Sequence, residues 1–115
     1  MAIQEQDKQI LVTGITGQLG SALSRRIIAQ GRKCAVFLRR EGNPYAVDLK
    51  HFKVFTADIT KRESLFTHAN ELRGKVDTII HMASARGSSG KKLLFDNIVC
   101  GSVNLYEFAN EIRCP

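Results

Sequence analysis

A chain of 115 residues with 43% hydrophobic and 24% charged side chains has the profile of one soluble globular domain, able to bury about two thirds of the surface its unfolded chain exposes. The formal net charge of +6 is spread over separate pairs (Arg25 with Arg26, Arg32 with Lys33, Arg39 with Arg40, Lys61 with Arg62, Lys91 with Lys92), without tryptophan or an interleaved aromatic platform, which argues against a nucleic-acid surface. No apolar run approaches a membrane span, Met1 to Gln9 resembles neither a secretory signal nor a transit peptide, and Cys34, Cys100 and Cys114 lack disulfide or metal-ligand spacing, a pattern that fits the cytoplasm.

In chain order, the apolar run Gln9 to Thr13 predicts a strand buried on both faces. Gln18 to Gln30 changes to helical period, with Leu19, Leu23 and Ile27 on one stripe beside Ala22, and Gly31 supplies a left-handed stop. Cys34 to Leu38 predicts a second strand. Glu41 to Lys50, with Gly42, Asn43 and Pro44, reads as a loop with at most a weak helical turn, and Lys53 to Thr56 as a third strand. Thr60 and Glu63 have capping-box spacing for a helix through about Leu72, ended by Gly74. Val76 to Ile80 is the fourth strand, Arg86 to Gly90 a glycine and serine loop, and Lys91 to Ile112 a long helix. That helix is expected to turn Leu94, Ile98, Leu105, Phe108 and Ile112 inward, with Gly101 allowing close approach to the sheet. Phe37, Phe52, Phe55, Phe66 and Phe95 are expected in the core or at its margin, with Cys34 and Cys100 as small buried groups.

Strands alternating with helices imply a doubly wound α/β fold of the Rossmann type, with about four parallel strands in order 3-2-1-4. Its ligand crevice lies beyond the carboxyl ends of the strands, between the first and the fourth. The stretch "QILVTGITGQLG" reaches that place. Gly14 can turn the chain out of the strand, Gly17 lets backbone amides approach a pyrophosphate, and Gly20 permits tight packing of the helix, whose N-terminus favours phosphate. The same glycines could serve only a tight turn, but the motif follows a strand and opens a helix, which favours dinucleotide binding. No Gly-Lys-Ser/Thr phosphate loop is present. At the end of the second strand stand Arg39 and Arg40, suited to the 2′-phosphate of NADP, while Glu41 leaves NAD as the alternative.

"TGITGQLG", Thr13 to Gly20, resembles the TGxxGxxG fingerprint of the extended and atypical short-chain dehydrogenase/reductases, the NAD-dependent epimerase/dehydratase group. "ADIT", "VDTIIHMASA" and "NIVCGSVNLYEFA" resemble that group in the same order, so the resemblance covers nearly the whole chain. It implies cofactor contacts from Gly14, Thr16, Gly17, Gln18, Leu19 and Gly20. It further implies that Asp58 meets the adenine amino group, Ile59 lines its pocket, Ala83, Ser84 and Ala85 lie beside a ribose, and Asn97 helps to organise the site. His81 is expected as a packed or hydrogen-bonded residue rather than an acid or base.

The family's chemistry uses a Tyr-x-x-x-Lys pair, whereas here Leu49 follows Tyr45 and Asn110 follows Tyr106 at that spacing. The reading is therefore a single NAD(P)-binding Rossmann domain over residues 1–115, ending before a fifth strand and without turnover alone. It would be the NADP-binding part of an oxidoreductase acting on an alcohol/ketone pair, whose small-molecule substrate is met only in a longer form. The alternative is an NADP-sensing regulatory module. Without a fifth strand, the edge "TIIHMA" is expected to drive self-association.

Overall fold

In the computed structural model, which describes residues 8–39, 42–83 and 90–115, four strands form one parallel sheet in the expected order. These are β1 (Gln9–Thr13), β2 (Cys34–Leu38), β3 (Lys53–Thr56) and β4 (Val76–His81), arranged β3-β2-β1-β4. Leu11 lies opposite Ala35 on one side and Ile79 on the other, and Ala35 opposite Lys53. Because parallel neighbours need crossovers, helices cover both faces. The helices are α1 (Gln18–Gln30), α2 (Arg62–Phe66), α3 (Ala69–Leu72), α4 (Lys91–Phe95) and α5 (Gly101–Glu111), with a 3-10 turn at Leu49–His51 and a π segment at Asp96–Cys100.

The pleat divides the apolar residues between two cores. Leu11, Phe37 and Phe55 face α2, α3 and α5, packing with Leu65, Leu72, Phe108 and Ile112. Val12 and Val36 face the other way, with Ile27 of α1, Val47 and Phe52. Each such side chain contributes about 1.5–3 kcal/mol when fully buried. Phe108 meets Phe37 and Phe66 edge-on, at centroid separations of 5.3 and 5.7 Å.

Three local expectations are corrected. The inner stripe of α1 is Gly20, Ser21, Ser24 and Ile27, whereas Leu19 is 75% exposed and Ala22 is exposed. Small residues take the inner face because the helix starts almost in contact with the β1 turn. Second, Thr60 does not cap a helix: its hydroxyl donates to Asp58 Oδ1 at 2.7 Å, and α2 begins at Arg62. The region through Leu72 is two short helices, broken where His68 turns back to bond the Thr56 carbonyl oxygen at 2.9 Å and pack its ring on Phe55. Third, the long helix contains the π segment, which rotates the faces on either side of it. Asn97 is buried, while Ile98 is 49% and Phe95 57% exposed. Gly101 does allow close approach, but to the Ile59 side chain rather than to the strands, since a Cβ there would lie 2.7 Å from Ile59 Cδ1. Cys34 is buried as expected, and Cys100 only half so.

Candidate functional site

A crevice of about 880 Å³ opens beyond the carboxyl ends of the strands, within the range of small-molecule and cofactor sites. Its floor is the glycine turn. Gly14 has φ +82°, and a Cβ on it would come within 2.7 Å of the Met82 and Ala83 backbone, so β1 and β4 can meet only across a residue without a side chain. A Cβ on Gly20 would collide with the backbone carbonyls of Gly14 and Ile15. Gly17 differs from both. It is extended, and a Cβ would meet only the Gly14 carbonyl oxygen at 3.5 Å, an ordinary contact. The fold does not require a bare Gly17, which faces the open crevice.

Gly17 is also the N-cap of α1, and no side chain caps that helix or places an acid in its first turn. The leading N–H groups lack intrahelical acceptors and carry the positive end of the helix dipole. The Gly17 N–H already donates to the Gly14 carbonyl oxygen at 3.2 Å, so an anion at this end would meet the N–H groups that follow it, from Gln18 onward.

Thr13, at the end of β1, fastens the opposite wall. Its Oγ1 accepts the N–H groups of Met82 and Ala83 at 3.1 and 3.2 Å and lies 2.6 Å from His81 Nδ1. With two donors already on the oxygen, its own proton points to Nδ1. His81 Nε2–H then donates to Ser102 Oγ at 3.2 Å, and the Ser102 hydroxyl donates to the Ile98 carbonyl oxygen. The bonds run one way from β1 through β4 to α5. Burial holds His81 below its ordinary titration range, so the neutral imidazole this chain needs prevails at pH 7. His81 is thus hydrogen-bonded on both nitrogens, as expected of it.

Of the residues singled out in the sequence, Gly14, Thr16, Gly17, Gln18, Arg39, Ile59, Ala83 and Asn97 line this one crevice. Leu19, Gly20 and Asp58 do not. Leu19 points to solvent, Gly20 packs beneath the turn, and Asp58 Oδ1 accepts from the Thr60 N–H and hydroxyl at 3.0 and 2.7 Å. Burial, the largest single influence on Asp58, pushes its carboxyl up. The Thr60 hydrogen bonds, aided by the charges of Arg39 and Lys61, outweigh it, and the group titrates below its ordinary value. Asn97 donates its side-chain N–H to the Leu93 carbonyl oxygen at 2.9 Å, across the start of the π segment. Arg40, Ser84 and Ala85 lie outside the described residues.

Sequence reasoning missed Thr13, Met82, Phe37, Leu38 and the segment from Gly42 to Tyr45, all of which line the crevice. Thr13 carried a signal, a hydroxyl at the end of an otherwise apolar buried strand. In the 42–45 segment Gly42, Asn43 and Pro44 signalled only a turn.

A parallel 3-2-1-4 sheet with a glycine turn, an uncapped helix start and a crevice at the strand ends defines a Rossmann-type α/β domain. The chain matches the model of the NAD dependent epimerase/dehydratase family over residues 10–114, and it belongs to that family. It is 34% identical over 92 residues to sterol demethylase protein B of Methylococcus capsulatus, covering 77% of this chain and 27% of that protein. It is 31% identical over 109 residues to the human sterol-4-alpha-carboxylate 3-dehydrogenase, decarboxylating, covering 94% of this chain and 27% of the relative. The Bordetella bronchiseptica enzyme WbmG, in a crystal structure in complex with NAD, superposes with a TM-score of 0.77 at 20% identity, over 99% of this chain and 37% of its own. The chain therefore spans about a quarter of the length of these curated relatives.

Proposed function

We propose that the crevice binds a nicotinamide dinucleotide, NADP in preference to NAD, and that residues 1–115 act as the single cofactor-binding domain of an oxidoreductase working on an alcohol/ketone pair. The observation that carries this reading is the uncapped start of α1 facing a crevice that Gly17 leaves clear of side chains. A pyrophosphate would take the free N–H groups there. The bound cofactor supplies hydride transfer at its nicotinamide ring; the chain's part is to bind and orient it. Arg39, half-buried in the crevice wall at the end of β2, with Arg40 beside it in sequence, would hold the 2′-phosphate. Ile59 would pack on the adenine with Asp58 next to it. Ala83, Ser84 and Ala85 would follow a ribose, and Asn97 would close the nicotinamide side. That NAD is bound by WbmG, and that the family is described as NAD dependent, supports the cofactor class. Among the described residues no helix is long and apolar enough to cross a membrane, and the free cysteines suit the reducing cytoplasm in which this reading places the chain. The small-molecule substrate would be met only in a longer form.

Calorimetric titration with NADPH and NADH tests the reading. NADPH is expected to bind more tightly, and Arg39→Ala with Arg40→Ala to remove that preference at a cost of about 1.5–3 kcal/mol, the worth of hydrogen bonds to a charged group. Equal affinities in the unmodified chain, or an unchanged double variant, would refute the NADP assignment.

A further inference from the structure

The two ends of the crevice differ in chemistry. On the β4 side lie the Thr13–His81–Ser102 hydrogen-bond chain and Asn97. On the β2 and β3 side Phe37, Leu38, Ala57 and Ile59 give the wall an apolar surface, with Arg39 at its rim. With a pyrophosphate on the glycine turn between them, the flat purine belongs on the apolar side. Tyr45 lines the crevice from the segment that leaves β2 and is 47% exposed. Among the described residues its ring and hydroxyl have no aromatic or hydrogen-bonding partner.

The segment holding Tyr45 is fixed in place. Asn43 Nδ2 donates to the Val47 carbonyl oxygen at 2.8 Å, and the Val47 N–H donates back to Asn43 Oδ1 at 2.9 Å. The Ala46 N–H closes a turn on the Asn43 carbonyl oxygen at 3.0 Å. Val47 itself is buried in the core on the α1 side of the sheet. Pro44 restricts the backbone before Tyr45, and Ala46 after it is left-handed, with φ 51°, a conformation that persists where surrounding bonds hold it. An aromatic ring with only two side-chain torsions, on a pinned backbone, can cover a ligand at small entropic cost.

We infer that Tyr45 is a stacking wall for the purine of the bound dinucleotide, presented by the Asn43–Val47 clamp, an inference that rests on the crevice being a dinucleotide site. Stacking of a base on an aromatic side chain is sequence-tolerant and strong enough to dominate such a contact. Tyr45→Ala should weaken NADP⁺ and ADP-ribose equally, by about tenfold, and leave inorganic pyrophosphate unaffected. Tyr45→Phe should bind both as the unmodified chain does, because the face of the ring rather than its hydroxyl makes the contact. Asn43→Ala should show a smaller loss. A spectroscopic readout is independent of affinity. The chain has two tyrosines and no tryptophan, so in Tyr106→Phe the emission reports Tyr45 alone, and ADP-ribose should quench it where pyrophosphate does not. Normal binding of ADP-ribose by Tyr45→Ala, or unquenched emission from Tyr106→Phe with ADP-ribose bound, would overturn the stacking role alone. Failure of the unmodified, folded chain to bind either NADP⁺ or ADP-ribose would overturn the dinucleotide reading and this inference with it.

Discussion

At the scale of single residues, the three glycines of one motif do different physical work. Gly14 combines a left-handed backbone with contact against β4, and Gly20 sits against the turn carbonyls. Gly14→Ala should therefore lose about 1–2 kcal/mol from backbone conformation alone, with the collision adding to it, and Gly20→Ala should also destabilise strongly. Gly17→Ala should stay within about 1 kcal/mol in urea denaturation while losing cofactor affinity in titration. A Gly17→Ala variant that unfolds as readily as Gly14→Ala would show that the fold itself needs this glycine, and one that keeps full cofactor affinity would show that the space in front of Gly17 has no binding role. His81 makes a separate prediction. Its folded-state pKa lies below the ordinary 6.5 because burial disfavours the cation, so the folded state takes up its proton later than the unfolded chain. The stabilisation from the neutral ring is full above that ordinary value and is lost as pH falls through the lowered one. Thermal melts between pH 8 and pH 5 should show this loss, and His81→Gln should flatten it; identical slopes would remove His81 from the account.

At the scale of elements, what was legible in the sequence followed from strong periodicity. Apolar stretches gave all four strands within a residue of their observed bounds: β1 and β2 are largely buried and apolar almost throughout, whereas β3 and β4 keep exposed or half-buried positions. Three features were not legible for physical reasons. The phase of α1 depends on how near its first turn lies to β1, so Gly20 and Ser24 outcompete Leu19 for the interior. The break at His68 depends on a bond to Thr56, distant in sequence. The π segment shifts Asn97 inward and Ile98 outward without any change in composition to announce it. Of the site, the glycine turn was legible because backbone geometry demands glycine at Gly14 and Gly20, whereas the Thr13 bonds to Met82 and Ala83 and the place of Tyr45 at the crevice arise only in the folded chain. β4 belongs to this scale too. Among the described residues it pairs with β1 alone, and it carries exposed Thr78 beside half-buried Ile79 and Ile80. We expect the isolated chain to self-associate through this edge in sedimentation at tens of micromolar, an order-of-magnitude range for such edges. Thr78→Lys should restore the monomer. A clean monomer without the substitution would contradict this.

At the scale of the whole molecule, both cores serve to align four strand ends on one crevice. The apolar residues that face α5 and those that face α1 alternate along the same strands, so the sheet cannot slip by a residue without exposing both sets. That rigidity keeps the glycine turn, Arg39, Ile59 and Ala83 around one space. The net charge of +6 adds a field that favours an anionic dinucleotide and weakens with salt. The most direct test is amide-resolved NMR of the ¹⁵N-labelled chain titrated with NADP⁺. Saturable shifts are expected at Gly14, Gly17 and Gln18, with further changes at Arg39, Ile59 and Ala83. A folded chain whose amides do not move, or whose shifts fall on the outer face of α1 instead, would contradict it.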